Sequence, residues 1–462
     1  MSSTKISPRR PSPLDHFLIT ALLVAIVVHA AVIVDLLWPA ATYASYFVQI
    51  SVFLFYLFFP LTRIRLAIQI PAIAIFLFLI LEHVWFCHLA QQPYNFNSVL
   101  TYIELLSFLP FYRSGVAISR ILKILFIVTT LYLIFYVVGH NSILSGSLGD
   151  NRAIHSGDTA RGSRLYLAAA FASFVAYYAM TNRKLGFFLR SGIFLLAVYA
   201  LWLSGFRTFG LIFVTVMLLS SVRLLGVATR LALFGLFCVI SGILLLGFLI
   251  PHWNPFNYMS WDGSAFARSL EYRVAIRVIQ QHWMWGVGIA NTFDAQQIFF
   301  RTREYEPLYP SDLGILGPLI LFGIPGVVAF IAATYFCIAS PLRRDGGSGI
   351  RGLQLNCIAC GMYGVISPSL IIEQNAVFLS LLFVAQLRAG QLFWWMRFEK
   401  LWFEAVPLNY RPALHSFRAF LGNKSRDNAM SSHYSPPTDG ETALNESGDP
   451  AVDAETSRRK RF

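Results

Sequence analysis

The side chains with the most chemical potential in this chain are arginines. Arg207 lies in LSGFRTFGLIF, a short connection between two apolar runs, with no acidic neighbour close in sequence. Arg268, Arg273 and Arg277 follow in SAFARSLEYRVAIRVIQQHW, then Arg301 and Arg303 in RTREYEP. The stretch 251–311 holds all five of these later arginines and no lysine. A guanidinium is a planar fork that grips phosphate or carboxylate through two parallel hydrogen bonds, whereas an ammonium is a point charge. Arginine without lysine therefore points to anion recognition. The competing role is pairing with Glu271, Asp294, Glu304 and Glu306, above all for Arg301 and Arg303, which sit beside two of these acids.

The spacing predicts a helix over 264–283. Phe266, Leu270, Val274 and Val278 recur every four residues as an apolar face, and Arg273 and Arg277 share another. Arg268 falls near the helix start, where the dipole favours an anion. His282 and Trp283 close the pattern, and Gly286-Val287-Gly288 reads as a turn ending the helix, since the rest of a dinucleotide fingerprint is missing. Trp253, Tyr258, Trp261, Tyr272, Trp283, Trp285, Tyr305 and Tyr309 suit an interfacial belt, the reading favoured for any single ring, and also a surface that stacks on sugars. A smaller polar stretch, 139–163, carries Arg152, His155, Asp158 and Arg161.

What must position these residues is a membrane-embedded frame. The chain is 56% hydrophobic and 13% charged, with a mean hydropathy of +0.60 and 41 Phe. Soluble domains carry about 25% charged residues, so the composition predicts an all-α polytopic membrane protein. A crossing needs about 20 apolar residues. That ruler gives about twelve spans, near 17–38, 44–61, 66–86, 98–112, 117–138, 164–181, 187–204, 208–222, 230–250, 313–339, 353–370 and 373–389. The segment 98–112 is short and contains Glu104, so a re-entrant piece is the alternative there. The net charge of +13 gathers in short connections and follows membrane topology, not nucleic acid. With the N-terminus (1–16) inside, all six lysines fall on the inner side, and 139–163 and the large loop 251–311 fall outside. The organisation expected is spans one to nine over 17–250, the outer loop 251–311, spans ten to twelve over 312–390, and an inner tail 391–462 that is disordered after about 424. The five cysteines lie in or beside apolar runs, and Cys357 and Cys360 read as packing residues.

No D-x-D pair, phosphate-binding G-x-x-x-x-G-K loop, H-E-x-x-H or G-x-S-x-G is present. A substrate that reaches the outer face already activated fits these absences.

The outward Arg207 just after Ser204, the Arg268-to-Tyr272 spacing in a large outer loop, and the run from His282 to Gly288 together resemble the O-antigen polymerase and O-antigen ligase family of bacterial membrane proteins. The resemblance covers the span architecture and, in detail, roughly residues 200–330. It implies a bacterial inner-membrane enzyme with both termini cytoplasmic. Such an enzyme moves glycan from an undecaprenyl pyrophosphate carrier to an acceptor sugar on the outer face, with no cofactor or required metal. Family ligases carry a His, a small polar residue, nine residues and then G-x-x-G. Counting back from Gly323-Ile324-Pro325-Gly326 puts Asp312-Leu313 there instead. This departure favours a polymerase of exopolysaccharide or O-antigen repeats over a ligase to lipid or protein. The implied roles put Arg207 and Arg268 on the pyrophosphate with Arg273 assisting, and Arg277, His282, Trp283, Arg152 and Arg161 near carrier or acceptor. The proton of the attacking hydroxyl would go to Asp312 or, second, to Glu271; Ser311-Asp312 is equally a helix N-cap. Expected partners are the lipid-linked glycan, the bilayer and a chain-length regulator protein. A transporter or flippase is the reading from another class, disfavoured because Glu82, Asp35 and Glu373 fall near expected span ends.

Overall fold

A computed structural model describes residues 11–31, 34, 38–58, 66–144, 154–155, 163–164, 168–250, 253–256, 263–290, 310, 313–339, 348–368, 370 and 375–389. The helices are α1 (Pro13–Ala30), α2 (Pro39–Phe58), α3 (Leu66–Ala90), α4 (Phe96–Leu100), a 3₁₀ turn (Ile103–Leu106), α5 (Phe108–Arg113) and α6 (Ile118–Leu144). They continue as α7 (Ala169–Thr181), α8 (Phe187–Ser204), α9 (Arg207–Ser221), α10 (Val227–Leu249), α11 (Gly263–His282), α12 (Leu316–Ala339), α13 (Ser348–Tyr363) and α14 (Ala376–Arg388). One short antiparallel pair, Ile154–His155 with Ser163–Arg164, lies between α6 and α7.

The chain is a multi-pass membrane protein. Among the described residues, seven helices are long and apolar enough to cross: α1, α2, α3, α6, α8, α10 and α12. Their lipid-facing side chains stay uncovered, as at Phe188 (89% exposed) on α8 and Val138 (76%) on α6. The expected count of about twelve spans is therefore not met by helices of crossing length. The other five are α7 (13 residues), α9 (15), α13 (16), α14 (13) and the segment 98–112. α7 needs no bilayer length because every residue from Ala170 to Ala179 is buried by neighbouring helices. Segment 98–112 breaks into α4, the 3₁₀ turn and α5, with buried Glu104 in the turn and Pro110 inside α5. Proline removes a backbone donor, and irregular backbone at membrane depth survives only where protein covers it. Here protein does: Ile103, Glu104, Leu106 and Leu109 are all buried. Glu82 also departs from expectation. It lies two turns inside α3 and is buried, not at a span end. Asp35, Glu373 and the tail 391–462 lie outside the described residues.

α1 starts at a capping box: Ser12 Oγ accepts Asp15 N–H at 3.1 Å, and Asp15 Oδ2 accepts Ser12 N–H at 2.7 Å, with Pro13 leading the helix. The centre is ring-rich, with Phe171 and Phe174 of α7 against Phe378 of α14 at centroid distances of 4.8 and 5.4 Å. Lipid tails are as apolar as these side chains, so close packing holds the bundle more than water exclusion does. At Gly352 of α13, a Cβ would sit 2.9 Å from the Tyr178 Cα of α7. Only glycine permits that approach. Cys357 and Cys360 are buried free thiols, with Cys357 Sγ–H donating to the Phe378 carbonyl at 3.5 Å, as packing residues should be.

Three arginines cap helix ends other than their own. Arg113 donates to the Tyr56 and Leu57 carbonyls at the end of α2, and Arg230 to Ala339 at the end of α12. Arg388 at the end of α14 donates to Phe111 and Tyr112 of α5, at 2.6 and 3.0 Å, and to Val116. Each satisfies carbonyls that a helix C-terminus leaves unpaired.

Candidate functional site

α8 ends at Gly205 in the left-handed conformation (φ 67°), and after Phe206 the chain re-enters helix with Arg207 as the first residue of α9. Arg207 is exposed, and no described residue pairs with its guanidinium. Its charge adds to the open N–H groups at the helix start, and both attract an anion.

Direct contacts lead from this point to the other candidate residues. Phe209 is buried and packs edge-on against Tyr363 at the end of α13, with centroids 5.1 Å apart. The Ile366 N–H donates to the Tyr363 carbonyl, and the Ile366 carbonyl accepts Gly314 N–H, both at 2.8 Å. A Cβ on Gly314 would lie 3.4 Å from Leu244 Cδ1 of α10. The Leu244 carbonyl accepts the Tyr272 hydroxyl of α11 at 2.6 Å, and the same hydroxyl accepts Gly247 N–H at 3.1 Å. The start of α9, the turn before α12 and α10 thus meet at one end of α13, and α11 is joined to them through α10.

α11 is the helix the four-residue spacing predicts. Val274 and Val278 are buried, yet the seam also runs through Tyr272, Ala275 and Ile279. Asn254 secures it, its Nδ2 donating to the Ser269 carbonyl at 2.9 Å and to Ser269 Oγ at 3.0 Å. Burial pushes the Tyr272 phenol up to about 12, so it stays a hydrogen-bond donor. Arg268, one turn before Tyr272 and on its side of the helix, is half-buried. Arg273 and Arg277 are exposed on another face, as their spacing implies. Glu271 is half-buried and already engaged by a neighbour. His282 is half-buried too; burial lowers its imidazole, and its carbonyl accepts Gly286 N–H at 2.7 Å to close the helix.

Beyond Gly286 the chain does not simply turn away. Val287 N–H donates to the Ile320 carbonyl at 2.7 Å, and Gly288 N–H to Leu321 at 2.8 Å. On the other side, Trp85 Nε1 donates to the Gly286 carbonyl at 3.0 Å, and His83 Nδ1 to Ile289 at 2.8 Å. Asn95 N–H donates to His83 Nε2 at 3.0 Å, which fixes that ring as the Nδ1–H tautomer. The strip 286–289 is buried between α3 and a break in α12. The break is at Gly323 (φ 61°, ψ −149°), where a Cβ would collide with the Met284 carbonyl, just as a Cβ on Gly288 (φ 81°) would collide with the Glu82 carbonyl. Both φ values need glycine. Gly286-Val287-Gly288 and the G-x-x-G that starts at Gly323 are therefore two halves of one backbone crossing. Sequence reading missed this, although both glycine motifs were visible. Beside the crossing lies an apolar groove of about 310 Å³, lined by Leu245, Phe248 and Leu249 of α10, Ile279 and Trp283, and by α12.

Trp283 is exposed. Arg152, Asp158, Arg161, Asp294, Arg301, Arg303, Glu304, Glu306 and Asp312 lie outside the described residues, as does the side chain of His155. Pro310 and Leu313, which flank Asp312, are described and buried at the end of α13. Among the described residues, no three His, Cys, Asp or Glu side chains gather as a metal site. Compared with known proteins, the chain matches no family model and no characterised protein.

Proposed function

We propose that this protein polymerises lipid-pyrophosphate-linked oligosaccharide repeats on the outer face of a bacterial inner membrane, in exopolysaccharide or O-antigen synthesis. The observation that carries the reading is the set of contacts from Phe209 through Tyr363, Ile366, Gly314 and Leu244 to Tyr272. It links the helix starting at Arg207, the turn beside Asp312 and, through α10, the helix bearing Arg268. In this role Arg207 and Arg268 neutralise charge that develops on the departing pyrophosphate. The remaining arginines, His282 and Trp283 hold carrier or acceptor, and Asp312 or Glu271 takes the acceptor proton.

Twelve crossings in the order expected from the lysines accompany this reading. The arginine caps support it, because Arg113 with α2, Arg388 with α5 and Arg230 with α12 each join ends that this topology assigns to the inner side. The same bonds support a full passage through the broken segment 96–113.

The test is Arg207→Ala in the native host, at matched protein level, reading polymer length and the undecaprenyl-linked pool together. Loss of long polymer with single repeats left on the carrier supports a polymerase. Long polymer stranded on the carrier supports a ligase. Parental behaviour in both assays removes Arg207 from the site.

A transporter or flippase is the second reading. Two interrupted helices and the buried carboxylates Glu82 and Glu104 favour it, since such features mark solute and ion sites in transporters. Unchanged polymerisation with carrier-linked repeats trapped on the inner face would select it.

A further inference from the structure

Within the bundle, three helical segments contribute one continuous hydrogen-bonded string. His29 near the end of α1 meets Glu104 of the 3₁₀ turn, Nδ1 to Oε1, at 2.8 Å. The other ring nitrogen, Nε2, meets the Tyr46 hydroxyl of α2 at 2.9 Å. His29 and Glu104 are 7% and 1% exposed, while Tyr46 is half-buried. The inner end is open: Glu104 Oε2 has no hydrogen-bond partner among the described residues. One turn along α2 from Tyr46, buried Gln49 also has both amide atoms unpartnered.

We propose that His29 and Glu104 form an intramembrane proton-binding site, loaded from Tyr46. The charge balance follows from the three groups. Without the extra proton, the Tyr46 O–H donates to His29 Nε2, and His29 Nδ1–H donates to the Glu104 carboxylate, leaving one net negative charge in an apolar bundle. With it, the ring carries hydrogen on both nitrogens, Nε2–H donates to the Tyr46 oxygen, and the string is neutral. A transfer of the Nδ1 proton onto Oε1 gives the second neutral form. Every form uses the same heavy-atom positions in the three groups, so uptake moves protons and not side chains. A buried pair left one charge short is costly, and ionisable groups at membrane depth mark proton and ion paths.

The elements packed against α1 and the 103–106 turn are α2, α3, α6 and α14. Of their titratable side chains, Tyr46 is the one bonded to the pair among the described residues. Tyr56 bonds Asp15, and Glu82 and His83 flank the 286–289 crossing, with Cys87 against His83. Tyr132, Tyr136 and His140 stack along α6, and Arg388 caps α5. Tyr43, His88, Arg120 and Lys123 are exposed.

The test uses full-length protein with isotope-labelled histidine in lipid nanodiscs, following ring-nitrogen magnetic resonance from roughly pH 8 to pH 5, where imidazoles exchange protons. The His29 ring is the one of ten that Tyr46→Phe displaces. It should pass from the Nδ1–H form to one bearing hydrogen on Nε2. In Glu104→Gln, which keeps the shape of the acid, the change should need at least about tenfold more protons, because the nearby carboxylate is gone. A His29 ring that keeps one form throughout, in folded protein, overturns the proposal, and so does an unshifted change in Glu104→Gln. Should that variant fail to fold, the titration of the parent decides alone. Polymer synthesis is not the readout, so this site stands or falls apart from the glycan reading.

Discussion

Replacing Gly288 with alanine tests the backbone crossing beside the candidate site. The φ of 81° puts an L residue in the left-handed region, at about 1–2 kcal/mol. The new methyl would also meet the Glu82 carbonyl, the Phe86 N–H nitrogen at 3.0 Å and the Phe86 Cβ at 3.1 Å. Two of these are backbone atoms of α3, which cannot swing aside as a side chain can. Overpacking of that kind costs about 1–3 kcal/mol, and the two effects together reach about 2–5 kcal/mol. The assay is unfolding in mixed micelles with rising SDS, read by tryptophan fluorescence, since Trp283 and Trp285 adjoin the crossing. Gly242→Ala is the internal control: this helical glycine of α10 has open space where the Cβ would go. There alanine should be neutral or stabilise by up to about 1 kcal/mol. If Gly288→Ala unfolds with the parent while Gly242→Ala behaves as stated, the strip 286–289 is not clamped between α3 and α12.

Tyr272→Phe should destabilise by about 0.5–1.5 kcal/mol in the same assay, because the partly buried Leu244 carbonyl and the buried Gly247 N–H lose the hydroxyl that ties α11 to α10; parental stability would break the link between α10 and α11. On the proposed polymerase reading, Arg207→Lys keeps the charge but loses the planar fork, so polymer synthesis should fall at least about tenfold; full activity would reduce Arg207 to a point charge. Gly352→Val should prevent α13 from closing on Tyr178 and lower the yield of folded protein, measured by size-exclusion chromatography, and a normal yield would contradict that contact. Burial lowers the His282 pKa, so the unfolded chain takes up this proton first. Its share of stability is complete above about pH 6.5 and declines below it. A His282→Gln variant should lose that part of the acid sensitivity, and identical pH profiles would place the imidazole in water.

Apolar runs were legible because hydropathy is local. The helix from Gly263 to His282 was legible because Val274 and Val278 keep helical spacing. Tyr272 was not, since only its partners on α10 reveal that a tyrosine hydroxyl bolts the two helices together. Gly288 and Gly323 were each visible as turn residues, but their meeting is a long-range fact that spacing does not carry. Glu104 marked its segment as unusual without disclosing His29, 75 residues away. Run length also says nothing about neighbours. α7 is apolar throughout, and burial by other helices, not hydrocarbon thickness, decides how short it can be.

The Arg388 cap has a consequence for the order in which the chain is made. The Phe111, Tyr112 and Val116 carbonyls receive donors from Arg388 of α14, more than 270 residues later. During synthesis the broken segment enters the membrane long before those donors exist. Until α14 arrives, its open carbonyls must keep water or a surrogate partner. A chain released before Arg388 would carry them bare into lipid, which makes the last helix a checkpoint on everything inserted before it.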